Sequence, residues 1–358
     1  MDDWGFEQLE PWLRARSRWH ARALDEAGWV LGGLVATGLL TLGMTLPWPA
    51  AWPTLRFGAG VASAVVLIYA TGWCMARLTR HGAAALGGAM FTGPGAGIVV
   101  SGLFASVMVV WHWRATSAWL VLGVLAFALS ALVWRVFHSR LDEPIDRTTT
   151  APQAVAAGAP APAAASAGGI EIACLALAYG LAGFGYIVTA TFLPVIARQA
   201  LPGSHWLDIF WPIFGVGVII GALFATRLRV SGDLRLLLAG AYVIQAIGIA
   251  ASLWSPTLAG FAIGSLLVGL PATAIAFFAL QEARLLMPRN SASGIGLLTA
   301  LYGIGQIVGP PLVALLLSHS ATPAAGFTAS LEIAAGTLLV GAAIYLWMSR
   351  AFPQARVA

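Results

Sequence analysis

Charged positions along this chain are gathered into short clusters, and the stretches between them are apolar on every face. Residues 27–55, 57–76, 81–113, 115–134, 172–197, 209–226, 236–281 and 290–331 contain no Asp, Glu, Lys or Arg. A helix needs about 20 mostly apolar residues to cross the hydrocarbon core of a bilayer, and several of these runs meet that length. Two are long enough for two crossings each. The first breaks at Trp254-Ser255-Pro256 and the second between His319 and Pro323, where polar and helix-breaking residues cluster. The pattern predicts an all-α, polytopic membrane protein with ten transmembrane helices at 27–46, 55–76, 85–109, 116–137, 171–197, 207–227, 235–254, 258–281, 292–317 and 325–349. A transmembrane barrel is excluded, because its strands alternate in polarity over about 10 residues and these runs do not alternate.

Composition agrees: 59% of residues are hydrophobic and 9% charged, against about 25% charged in an ordinary soluble domain. Basic residues accumulate in the cytoplasmic loops of membrane proteins, so the placement of the nineteen basic residues, all arginine, carries the topology. A cytoplasmic N-terminus puts sixteen of them, from Arg14 to Arg356, on one side and only Arg56, Arg114 and Arg198 on the other. Both termini are therefore expected in the cytoplasm, with the lipid bilayer of a bacterial inner (plasma) membrane as the surrounding partner. The basic charge is a topology signal and is not gathered on one soluble face, so no nucleic-acid partner is expected. Met1 to Arg22 mixes four acids with four arginines and lacks the apolar core of a cleavable signal peptide. Cys74 and Cys174 both fall inside predicted spans, which gives neither a disulfide framework nor metal-ligand spacing.

The spans divide the chain into a cytoplasmic N-terminal segment (1–26), a four-span bundle (27–137), a cytoplasmic linker (138–170), a six-span bundle (171–350) and a short tail (351–358). The linker begins with charges and continues as an Ala/Pro tract, a composition with too little apolar surface to fold on its own. The two bundles share features in the same order. The penultimate span of each carries small-x-x-x-Gly-Pro, as Ala89 to Gly93-Pro94 and Gly305 to Gly309-Pro310. The preceding span opens with Pro53-Thr54-Leu55 or Pro256-Thr257-Leu258 and closes with Ala76-Arg77-Leu78 or Ala283-Arg284-Leu285. This reads as a parallel repeat, a plan in which the solute site lies near the membrane midplane between the halves.

Candidate chemistry is sparse. There is no Walker loop, no dinucleotide fingerprint and no His-Glu-x-x-His, which argues against an enzyme, a nucleotide-driven pump, a cofactor or a metal centre. Any energy for transport is expected from a gradient of protons or another ion. Polar groups within spans normally face the bundle interior. Tyr179, Gly183 and Tyr186 share one helical face, with Thr189 three residues further on. They read either as a cavity wall offering hydroxyls to a solute or as glycines for close packing beside self-bonded hydroxyls. Thr299, Tyr302, Gln306 and Gly309 share another face, and Gln306 and Gln245 are the two glutamines well inside the spans. A buried amide must find partners in solute or in neighbouring helices. Gly93-Pro94 and Gly309-Pro310 are expected to shape their helices. Glu332 is the one acid placed well inside a span, which makes it the coupling candidate; about two turns from the outer end, it reads alternatively as a group that reaches water or His319. Glu171, Glu282 and Asp208 sit at span ends and read as solvated or arginine-paired.

The run from Tyr179 to Pro194, together with Leu55-Arg-Phe-Gly-Ala-Gly-Val-Ala-Ser-Ala64 and Gly303-Ile-Gly-Gln-Ile-Val-Gly-Pro310, resembles the YbfB/YjiJ-type branch of the major facilitator superfamily. The resemblance covers roughly residues 27–350 and implies secondary transport of a small organic solute by alternating access between two helical bundles. By it, the ten spans correspond to the third through twelfth of the family, and its first two helices have no counterpart here. The Asp expected in the loop after Gly221-Ala-Leu-Phe-Ala-Thr-Arg227 is also absent. Those departures leave a second reading open, a membrane protein without transport activity that binds a protein or lipid through the gap.

Overall fold

The computed structural model describes residues 26–81, 89–138, 168–202, 209–228, 232–288 and 290–353. The N-terminal segment lies almost wholly outside these ranges, as do nearly all of the linker, most of the tail, and Asp208. Among the described residues there is no strand, and the helices are α1 (Glu26–Gly43), α2 (Trp52–Arg80), α3 (Thr92–Val110), α4 (Ala115–His138), α5 (Gly169–Ala200), α6 (Phe210–Arg227), α7 (Leu234–Trp254), α8 (Leu258–Gly269), α9 (Ala272–Leu286), α10 (Ser291–His319) and α11 (Pro323–Ala351). Among the described residues eight segments are long and apolar enough to cross a membrane, and the shorter apolar helices Ala27–Gly43 and Phe210–Ala225 occupy the two remaining predicted positions. The chain is an all-α polytopic membrane protein.

One predicted span is interrupted. Residues 258–281 are expected to be one continuous crossing, but helix α8 stops at Gly269 and α9 starts at Ala272. Pro271 has no N–H to donate to the carbonyl one turn earlier, and the chain turns there before it resumes. The absence of charge across 236–281 hides this break from a reading based on hydropathy alone.

Within the spans several hydroxyl groups are satisfied by their own helix, as an environment without water favours. Thr37, Ser106, Ser130, Thr189 and Ser330 each donate to a carbonyl four residues earlier in their own helix. Helix starts are capped by side chains: Asp233 accepts from the Arg235 N–H, Thr257 from Gly260 and Thr322 from Ala325. The surface is apolar, with Leu132 76%, Phe57 74% and Ile307 73% exposed, as expected of side chains that meet lipid rather than water.

The described helices fall into two compact units. In the first, α1 packs against α2 and α4, with Gly33 against Val66 and Gly38 against the Phe127 ring. The second holds α3 and α5 to α11. Helix α3 belongs there because it crosses α6 at two glycines: a Cβ on Gly95 would stand 2.9 Å from the Gly215 carbonyl oxygen, and one on Gly215 would stand 2.9 Å from that of Gly95. The core of this unit is built from α5, α7, α10 and α11 around Leu175, Tyr242, Leu298, Leu338 and Tyr345. Tyr242 donates a 2.8 Å hydrogen bond to the Ala178 carbonyl, which ties α7 to α5.

Candidate functional site

The crossing of α5 over α10 is set by glycine. A Cβ on Gly183 would lie 2.2 Å from the Tyr302 carbonyl oxygen, and one on Gly305 would lie 2.2 Å from that of Gly180. Backbone thus meets backbone, the geometry small residues permit between transmembrane helices. This close approach brings together side chains that flank the glycines. The Tyr179 and Tyr302 rings stand 4.8 Å apart, and Tyr186 lies 6.4 Å from Tyr302 and 5.9 Å from Phe214 of α6. Phe214 in turn stacks on Trp211 at 5.3 Å with an interplanar angle of 16°. Such spacings fall in the attractive range for aromatic pairs. The result is a run of five rings across α5, α10 and α6, in which Tyr186, Tyr302 and Trp211 are half-buried while Tyr179 and Phe214 are buried.

The glycines serve helix packing, and Thr189 is buried and donates 2.9 Å to the Gly185 carbonyl within its own helix. The tyrosines, however, form one continuous face with partly open rings. Gln306 lies one turn beyond Tyr302, is half-buried, and hydrogen-bonds to no described residue. Gln245 stands apart from this group. It is buried, and its Nε2 donates 3.0 Å to the Val268 carbonyl near the end of α8, an interhelical bond that holds α7 to α8. Thr299 is exposed and bonded to the Ile295 carbonyl.

The remaining sequence candidates lie elsewhere. Glu332 is exposed on α11 and forms no ion pair with a described residue. His319 turns its Nδ1 to Ser318 and the Leu315 carbonyl of its own helix. Gly93 and Pro94 occupy the first turn of α3, where a missing N–H costs nothing, so they define the start of the helix. Gly309 and Pro310 lie well inside α10, with Gly309 against Ile187 of α5. Among the described residues no group of three His, Cys, Asp or Glu is placed to hold a metal ion.

The most highly connected polar group was not singled out in the sequence. Arg235, in the first turn of α7, is 0% exposed. Its Nε donates 2.6 Å to Glu282 of α9, one Nη donates to Glu171 of α5, and the other donates to the carbonyls of Met348 (3.0 Å) and Phe352 (2.8 Å) at the end of α11. One guanidinium thereby fastens four helices at one end of the unit, using the planar fork of donors that lysine lacks. Glu171 and Glu282 are arginine-paired, one of the two roles open to them, but both are buried rather than at a solvated edge. The available signal was geometric: counting spans puts the starts of α5 and α7 and the ends of α9 and α11 on the same side.

Helices long and apolar enough to cross a membrane, packed against one another through glycine, define a polytopic membrane protein. The chain is a member of the family described as "Uncharacterised MFS-type transporter YbfB", whose model matches residues 12–346, nearly the whole sequence. No curated protein matches the chain.

Proposed function

We propose that this protein is a secondary transporter that moves a small organic solute by alternating access, with the Tyr186, Tyr302 and Gln306 face forming part of the solute path. The observation that carries this reading is the pair of half-buried tyrosines, Tyr186 on α5 and Tyr302 on α10, beside an amide that bonds to no described residue. Polar side chains in hydrocarbon cost several kcal/mol when they lack partners, so a face of this kind is retained where water or solute meets it. Membership of a transporter family supports the same reading.

On this account both termini lie in the cytoplasm of a cell whose plasma membrane holds the protein, and the repeat of Gly93-Pro94 and Gly309-Pro310 relates a four-span half to a six-span half. Energy comes from an ion gradient, with Glu332 as the acid available for coupling. A solute with little net charge fits the site best, because the rings and amide offer no countercharge. The test is uptake into proteoliposomes across a panel of neutral, cationic and anionic organic solutes. Saturable uptake of at least one neutral solute supports the proposal. Passive leak alone across the whole panel would favour a protein that binds a partner or lipid without transport.

A further inference from the structure

The sequence from Ala27 to Leu141 contains no Asp or Glu. Most arginines of that stretch lie at the helix ends that face the cytoplasm on the proposed topology, where basic residues normally accumulate. Arg56, in the second turn of α2, and Arg114, immediately before α4, stand at the opposite end of the first unit, and both are exposed. The general bias gives neither of them a reason to be there. Arg56 is also held in place, because its guanidinium lies 5.0 Å from the centre of the Trp119 ring of α4, a cation–π distance. Among the described residues of this unit no acid lies at this end, so the countercharge for Arg56 and Arg114 has to come from outside the unit.

The surroundings of these cations belong to a membrane–water interface. Trp48, Trp52, Trp111, Trp113 and Trp119 gather at the same end, with the Trp111 and Trp113 rings 6.0 Å apart, and tryptophan concentrates at headgroup depth. Away from that end, α2 and α4 each pack along α1 but scarcely touch each other. Gly33 of α1 meets Val66 of α2 and Gly38 meets Phe127 of α4; Thr37 and Thr41 fall between these two directions by helical spacing. Their hydroxyls bond to the carbonyls of Gly33 and Thr37 in their own helix. A furrow therefore runs between α2 and α4 with α1 as its floor, and its walls come from the charge-free runs 57–76 and 115–134. Ala27, Val30 and Leu31, packed with Trp73 of α2 and Val133 of α4, close it at the far end. An apolar furrow with two uncompensated cations at its mouth matches the polarity of an anionic phospholipid. A second copy of this chain would bring the same positive end to the mouth, and a soluble anion would leave the furrow unfilled.

We propose that this end of the first unit binds one anionic phospholipid, with its phosphate on Arg56 and Arg114 and an acyl chain in the furrow between α2 and α4. Arginine suits the phosphate because its planar fork makes paired, charge-assisted hydrogen bonds. On the proposed topology the lipid comes from the outer leaflet. The site uses none of the residues of the tyrosine face, and its occupancy is independent of transport.

The experiment is native mass spectrometry of the full chain, released from detergent after titration with dioleoylphosphatidylglycerol or, as the zwitterionic comparator, dioleoylphosphatidylcholine. One saturable phosphatidylglycerol adduct is expected, about tenfold tighter than the phosphatidylcholine adduct, the scale of one hydrogen bond to a charged group. Arg56→Gln and Arg114→Gln should each lower phosphatidylglycerol affinity about tenfold, with thermal stability in lipid-free detergent close to the parent's because both side chains are exposed. Arg135→Gln removes the same charge from the opposite end of α4 and should leave the affinity unchanged. Glycerol 3-phosphate at the same concentrations should not displace the lipid, since it fills no furrow. Equal affinity for the two lipids, unchanged affinity in Arg56→Gln or Arg114→Gln, an equal loss in Arg135→Gln, or full displacement by glycerol 3-phosphate overturns the proposal. A dimer whose formation excludes the lipid would assign the furrow to a second copy of the chain and overturn it as well.

Discussion

Arg235 and Glu282, forty-seven residues apart in sequence, meet through a 2.6 Å hydrogen bond in which neither side chain is exposed to solvent. The pair, with Glu171 and two carbonyls of α11, fixes one end of the larger unit. Removing one member of a buried ion pair typically costs about 3–5 kcal/mol because the other is left uncompensated. Arg235→Met should therefore lower the unfolding free energy in detergent by about that much. Arg235→Lys should recover only part, since an ammonium cannot reach both carboxylates and both carbonyls in one plane. The triple change Arg235→Met, Glu171→Leu, Glu282→Leu should be closer to the parent than Arg235→Met alone. Equal stability of Arg235→Met and the parent protein would remove the cluster from the account.

The glycine crossing gives a second expectation. Gly183→Ala places a methyl where backbone already stands, 2.2 Å from the Tyr302 carbonyl oxygen, so α5 and α10 must separate at a cost of about 1–3 kcal/mol. Gly303→Ala, where no atom lies within 4 Å, should be neutral or slightly stabilising, because alanine is the better helix former. Thermal unfolding of the two variants checks this, and similar behaviour of both would show that the crossing is looser than the structure has it.

Topology can be read with reporters. Fusions at Thr148 and Ala358 should both report a cytoplasmic location, the outcome expected from the sixteen-to-three division of arginines. A periplasmic report from either one overturns the orientation.

Coupling is tested through Glu332. With Glu332→Gln, solute accumulation driven by an imposed ion gradient should fall to the level of equilibration, while exchange of labelled for unlabelled solute without a gradient should persist. Accumulation that survives the change would assign coupling to another group.

Much of the fold was legible because lipid imposes a simple rule, that a long charge-free run becomes an apolar helix: among the described residues eight segments are long enough to cross, and shorter apolar helices stand at the two other predicted positions. The tyrosine face was legible for a related reason, since Tyr179, Gly183 and Tyr186 recur at helical spacing and polar groups turn away from lipid. What stayed hidden depends on distant partners. Arg235 at the edge of a span looks like any loop cation, and its role follows only once Glu171, Glu282 and the end of α11 converge on it. The break at Pro271 was present in the letters, as Gly269-Leu270-Pro271, but hydropathy does not register a turn that leaves the apolar run intact. The partnership of α3 with α6 rests on two glycines facing each other, a relation with no local signature.

Transport through this protein requires that the Tyr186 and Gln306 face meet solute. The direct measurement is initial uptake rate in proteoliposomes for the parent, Tyr186→Phe and Gln306→Leu, each checked for unchanged folding by thermal unfolding. Loss of one hydrogen bond to the solute predicts an apparent affinity about five- to tenfold weaker in each variant, with stability within about 0.5 kcal/mol of the parent, as expected of substitutions outside a packed core. Uptake by both variants at the parent's rate and affinity would show that solute never touches this face.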